Sequence, residues 1–311
     1  MTNMKQKLLY LFTRTPLHIG AGLTVGLTDQ PIQRERHTGF PIIPGSTLKG
    51  GFARAWTDSS GQRTEEGNWL FGSEAATPAG GGALQFAEAK LLAFPIRSAR
   101  GSFAWITCPL ILRRFARDGD MPEAWLPPLA PRDDQALFTK AGPLALIAGQ
   151  DVKIVLEDFT FSYGGELPGP ANPPAPPAPR HAGEYLRNLL HKDPVWSEAG
   201  QRLVILNDGM MSFFCQSACE VVPHIQVDDA RGAGSSEACF TQENVPSETL
   251  FYAGLNCLDE RIRRKPKNLA LDAGGAFAAQ IEGRVFQFGG DATTGLGCCT
   301  IELRDTQPPA D

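Results

Sequence analysis

The spacing of apolar and polar residues changes along the chain, and each change predicts an element. The run Lys7 to Thr13, KLLYLFT, is almost wholly apolar and predicts a strand. From Ser46 to Trp56 a Ser/Thr start followed by helical spacing predicts a capped helix. Gly82 to Pro95 and Phe103 to Pro109 predict further strands. In Val152 to Tyr163, Val152, Ile154 and Leu156 alternate with Lys153 and Glu157, which predicts another strand. Helices are predicted over Glu184 to His191 and Met210 to Cys219, with a short strand at Leu203 to Leu206 between them. Val285 to Phe288 and Cys298 to Glu302 flank GGDATTGLG and predict a hairpin closed by a glycine-rich turn. The whole is an α+β pattern.

Two stretches break the periodicity. Residues 164–180 contain GGELPGPANPPAPPAP, whose prolines lack the N–H groups that a helix or central strand needs. It reads as a surface linker inserted in one body, residues 1–311. Residues 221–255 read as two strands joined by the polar tip DDARGAGSS, too poor in apolar residues to enter a core. The sequence itself shows an exposed long hairpin, which could be a contact between copies.

The richest chemistry lies between His18 and Gly50. It combines a Gly-punctuated turn, the acidic Asp29, the mixed-charge run Gln33 to Arg36, and a helix start at Ser46 and Thr47 with Lys49 close behind. A helix N-terminus offers unpaired N–H groups and partial positive charge to an anion, and a lysine adds a full charge. The alternative is a simple Ser46 cap beside a solvated Lys49.

Composition modifies this picture at three points. The net charge of −5 does not mark a nucleic-acid binder, but a groove can be basic on an acidic protein. Basic residues do cluster at Arg97 and Arg100, at Arg113, Arg114 and Arg117, and from Arg261 to Lys267. The 7 cysteines contain no CxxC pair, which suggests free thiols; a cluster of Cys215, Cys219 and His224 is the one conceivable zinc set. No apolar run approaches the ~18 residues that a membrane span requires, so the expected location is cytoplasmic.

The blocks PIQRERHTGFPIIPGSTLKGGFARAW, LFG, GALQFAEAKLLAFPIRSARGSFAWITCPLILRR and FGGDATTGLGCCTI, in that order, resemble the RAMP superfamily of CRISPR proteins. The similarity runs from near residue 8 to about residue 303, and within the superfamily points to the repeated backbone subunit of type III-B (Cmr) effector complexes. The resemblance implies an RRM-like, ferredoxin-like RAMP fold with long insertions, including a thumb β-hairpin over residues 221–255. It implies a subunit of a cytoplasmic antiviral complex that holds a guide RNA and cuts the complementary target RNA at regular intervals. Its partners would be the guide RNA, the target RNA, copies of itself and the other subunits of the complex, with no membrane.

In that frame Asp29, in GLTDQPIQRE, matches the target-cleaving aspartate and would bind a divalent metal, Mg or Mn. Glu243 would be a helper; the family tends to carry two adjacent acids there, whereas this chain has Gln242 and then Glu243. His18, Arg34, Ser46, Thr47, Lys49 and the glycines Gly289, Gly290, Gly295 and Gly297 would contact RNA. The other readings are a type III-A backbone subunit, a non-catalytic RNA-binding scaffold, and a guide-processing endoribonuclease built on histidine chemistry without metal.

Overall fold

A computed structural model describes residues 4–22, 28–73, 81–119, 121–171, 178–190, 192–228, 233–258 and 265–306. The N-terminal strand Met4–Thr13 lies between Leu250–Leu258 and the closing strand Cys298–Asp305, antiparallel to both. Ala89–Arg97 adds to the far side of Leu250–Leu258, again antiparallel. The chain runs from the first of these strands to Ala89–Arg97 by way of helix Gly45–Ala53, and from Leu250–Leu258 to the closing strand by way of helix Ala273–Ile281. Two antiparallel steps make each helix-linked pair parallel, so the spatial order is fourth, first, third, second. That is the ferredoxin-like arrangement.

Residues 98–249 are inserted between the second and third core strands, and several of their strands prolong the same sheet. Phe103–Thr107 pairs with Ala89–Arg97, Leu203–Ile205 pairs with Phe103–Thr107, and Gln135–Leu137 carries the sheet on to Phe159–Gly165 and Asp151–Leu156. Strands before and after the proline-rich stretch thus share one sheet, and residues 172–177 of that stretch lie outside the described residues.

The core explains why the first strand reads as unbroken apolar sequence. Leu8, Leu9, Tyr10, Leu11 and Phe12 are all buried, because both faces of the strand are covered. Phe115, on helix Pro109–Arg117, packs edge-on against Tyr10 at 6.2 Å and Tyr252 at 4.9 Å. The two connecting helices meet through Phe52 and Phe277 at 5.1 Å, and Phe52 also contacts Phe286 and Phe288.

Several elements differ from the sequence expectation. The helix expected from Ser46 begins at Gly45 behind Pro44, with no side-chain cap, and passes into a 3-10 turn over Arg54–Trp56. Gly45 fixes that start: a Cβ there would lie 2.4 Å from the Phe86 carbonyl oxygen, so only glycine lets the helix sit this close to the sheet. Gly82 to Pro95 is two strands, Leu84–Phe86 and Ala89–Arg97, on opposite sides of a step at Ala87. Val152 to Tyr163 is a hairpin, because Glu157 takes a left-handed conformation (φ 49°) between Asp151–Leu156 and Phe159–Gly165.

The strand expected over Phe103 to Pro109 stops at Thr107, where Pro109 opens a helix. The helices over Ala182–Arg187 and Asp208–Ser217 begin two residues earlier than expected, the second capped by Asn207, which accepts from the Met210 N–H. Residues 221–255 prove to be three strands, not two. Glu220–Asp228 and Ala233–Asn244 pair as a separate hairpin, whereas Leu250–Leu258 belongs to the core sheet. Of the expected tip, residues 229–232 lie outside the described residues.

Candidate RNA-processing site at the hairpin root

The root of that hairpin gathers most of the candidate residues. Residues 28–34 run alongside the end of strand Ala233–Asn244, with the Gln30 N–H donating to the Thr241 carbonyl (3.0 Å) and the Glu243 N–H donating to the Gln30 carbonyl (3.0 Å). Leu17 and Val245 exchange a pair of backbone hydrogen bonds on the strand's continuation. Period-2 geometry then sends Thr241 and Glu243 to one face and Gln242 to the other.

Thr241 meets Asp29. The Asp29 Oδ2 accepts from the Thr241 N–H (2.7 Å) and from the Thr241 hydroxyl (2.9 Å), and the Asp29 N–H donates back to Thr241 Oγ1 (3.1 Å). Asp29 is exposed, and the backbone N–H of Thr241, followed by its hydroxyl, holds the carboxyl below the usual carboxylate range. The group is therefore a fixed anion at neutral pH, suited to electrostatic or ligand work and poor at taking a proton.

Glu243 is held differently. Its Oε1 accepts from Arg34 Nη2 at 2.6 Å and its Oε2 from the Ile32 N–H at 3.0 Å, and the residue is buried. Arg34, expected on RNA, is turned inward: Nη1 donates to the carbonyls of Gly39 and Cys215 (2.8 Å each) and Nη2 also reaches Cys219 Sγ at 3.3 Å. It thus closes the C-terminal end of helix Asp208–Ser217, where a cation opposes the helix dipole. Burial pushes the Cys219 thiol up to about 12, so Cys219 stays a neutral thiol beside Arg34. The His224 ring stacks on the exposed Phe240 at 4.9 Å.

His18 is buried, and its Nδ1 lies 2.7 Å from the Glu243 carbonyl. A carbonyl only accepts, so Nδ1 carries a proton and donates it to Glu243. The His18 carbonyl accepts from the Gly290 N–H (3.0 Å), which ties this strand end to the glycine-rich turn. Gly289 (φ 76°) is required there, since a Cβ would come 2.0 Å from the same carbonyl. Gly297 donates to the Pro16 carbonyl, and Gly295 is exposed at the end of the short turn Ala292–Thr294. Gln242, buried, reaches Asp291 of this turn at 2.9 Å and Asn244 at 3.2 Å.

Ser46, Thr47 and Lys49 stand on the neighbouring helix, Ser46 and Lys49 exposed; the same helix presses its Gly51 against Phe288, next to the glycine-rich turn. Of the basic clusters, Arg97 pairs with Glu157, Arg100 bonds the Ala145 carbonyl, and Arg114 grips Glu35 with both contacts at 2.9 Å. Arg113 and Arg117 are exposed, and residues 261–264 lie outside the described residues. Phe251 and Tyr252 are buried in the core sheet. Thr241 is not singled out by the sequence; a lone polar residue in a strand carries no signal until its partner is known.

Among the described residues no group of three or more His, Cys, Asp or Glu side chains is placed to hold a metal ion. The donor set at Asp29 is one carboxylate. It fits an ion that keeps most of its water and takes its other ligands from phosphate, as Mg does, and not a protein cage. Among the described residues no helix is long and apolar enough to cross a membrane.

This fold and this root define the chain's class: it belongs to the RAMP superfamily, whose profile matches residues 11–300. It is 30% identical over 308 residues to the CRISPR system Cmr endoribonuclease Cmr4 of Pyrococcus furiosus, covering 97% of each chain. The crystal structure of oligomeric Cmr4 from Pyrococcus furiosus superimposes with a TM-score of 0.67 at 25% identity, over 98% of this chain and 100% of that one. A subunit of the type III-B Cmr-beta complex bound to cognate target RNA shares the fold, with a TM-score of 0.66 at 18% identity over 96% of each chain.

Proposed function

We propose that this chain is the guide-RNA-binding backbone subunit of a type III-B CRISPR effector complex and cleaves the target RNA paired with the guide. The observation that carries the reading is an exposed, ionised Asp29 fixed at the root of a projecting hairpin. Its full-length similarity to a Cmr endoribonuclease supports the same chemistry. Copies would stack along one guide, so that the hairpin of one subunit, acting as a thumb, displaces a base beside the Asp29 of the next. Sequence choice then rests with base pairing.

Cleavage is an in-line displacement at phosphorus, and a duplex does not supply the backbone geometry for it. Asp29 would provide one ligand to a hydrated Mg or Mn, which when bound supplies charge stabilisation at the phosphate. Glu243 would act through Arg34 and Ile32 by fixing the loop, not by touching RNA. His18 would brace the strand end between Glu243 and Gly290. Lys49, with the amides at the start of its helix, would hold the guide backbone, and the exposed Gly290 and Gly295 would leave room for RNA beside the turn.

The test is Asp29→Ala in the complex assembled with coexpressed partners. Assembly and target binding should persist while cleavage of a labelled target falls by orders of magnitude, and EDTA should act likewise on the wild type. Cleavage at the wild-type rate by the assembled variant leaves a non-catalytic scaffold as the reading. Full cleavage in EDTA points to histidine chemistry.

A further inference from the structure

Thr241 touches Asp29 through three hydrogen bonds, two received by the carboxylate and one given by the Asp29 backbone. Its neighbours on the strand hold two other parts of the site: Gln242 holds Asp291 of the glycine-rich turn, and Glu243 holds Arg34, Ile32 and, through its carbonyl, His18. Consecutive residues of one hairpin strand therefore clasp every loop that carries a candidate residue at this root.

We propose that Thr241 is the positioning residue for Asp29, fixing its carboxylate in register with the hairpin so that hairpin and carboxylate move as one unit. The proposal rests on the cleaving role given to Asp29 above. An exposed aspartate on a glycine-punctuated loop samples several rotamers, and a carboxylate that must face one phosphate loses rate in proportion to the time spent elsewhere. A backbone N–H and a hydroxyl converging on one oxygen restrict both χ angles at once. Because the donor belongs to the strand that leaves the hairpin, any tilt imposed on the hairpin by bound target is passed directly to the carboxylate through these bonds, in step with the backbone pairing of Gln30 to the same strand.

Thr241→Val keeps the shape and the backbone N–H but removes the hydroxyl, and Thr241→Ser restores it. In the assembled complex, single-turnover cleavage at saturating complex should fall about tenfold or more in Thr241→Val, with target affinity unchanged, and should recover in Thr241→Ser. Adding Thr241→Val to Asp29→Ala should change nothing further, since the two act in one unit. Four outcomes overturn the proposal. Wild-type rate in Thr241→Val while Asp29→Ala is inactive removes Thr241 and leaves the Asp29 assignment standing. Loss of target binding in step with rate makes Thr241 structural. Failure of Thr241→Ser to recover denies the hydroxyl a role. Wild-type rate in Asp29→Ala itself removes the reading on which the proposal rests.

Discussion

Asp29 and Arg34 lie on one short segment and lean on one strand, yet they are opposite in kind. Asp29 is exposed and meets Thr241; Arg34 is turned inward and meets Glu243 two residues further along the same face. The difference is burial. A carboxylate at the rim keeps solvent and substrate access while neutral donors lower its pKa; one under the rim is matched by a full charge and spends its hydrogen bonds on the protein. An anchor beside an exposed carboxylate lets the loop be open at one end without being loose, and acidity alone in the sequence does not tell the two apart.

The largest effect that separates the regions is on stability. Glu243→Ala leaves Arg34 largely buried without its counter-ion, and breaking such a pair costs roughly 3–5 kcal/mol. We expect about 3 kcal/mol, near the low end, because Arg34 keeps the Gly39 and Cys215 carbonyls. Denaturant unfolding of the isolated chain measures it. Asp29→Ala, removing an exposed group, should melt with the wild type. Equal melting of the two variants would break the division between buried anchor and exposed carboxylate.

A smaller effect is expected at Lys49, which shares neither region. In the guide-holding role proposed for it, this exposed lysine should contribute sequence-independent affinity, so Lys49→Ala should weaken binding of different guides alike, about fivefold, and reduce the salt slope by about 1. Guide affinity measured over a salt series checks this. A loss that depends on guide sequence would mean base readout, and no loss would mean a solvated lysine.

The sequence made the core legible where burial is two-sided or periodic. The first strand, the glycine-rich hairpin and the Asp208–Ser217 helix emerge from apolar spacing, though the helix starts at Asp208, behind an Asn207 cap and two residues before the apolar signal. It failed where one residue redirects the chain. Glu157 turns an apparent strand into a hairpin by adopting a conformation that glutamate disfavours, and Leu250–Leu258 is drawn out of the expected hairpin because its pairing with Met4–Thr13 is non-local. The helices Glu65–Phe71, Pro109–Arg117 and Ala273–Ile281 went unmarked despite local signals, a Thr64 cap, an N1 proline and an Asp272 cap. At the site, Asp29 was legible through its motif and its partner Thr241 was not, because the two are 212 residues apart. Arg34 and Glu243 were legible as charges, but only pairing shows that each is occupied by the other.

The smallest expected effect concerns protonation and sharpens the same comparison at the exposed end. Because Thr241 holds the Asp29 pKa below its ordinary value, the anion persists as pH falls through the usual carboxylate range and is lost only below it. Activity that needs the anion should therefore stay level down to that lower pH, provided the complex remains assembled. The backbone N–H is the larger cause and survives Thr241→Val; the hydroxyl, the next, does not. The Asp29 midpoint in that variant should move upward, but only part of the way to the ordinary value. Following the Asp29 side-chain carboxyl carbon by NMR during an acid titration of the isolated chain reads this without requiring assembly or cleavage. An unmoved midpoint would show that the hydroxyl does not hold the carboxylate in solution, and the lowering at Asp29 would then rest on the strand backbone.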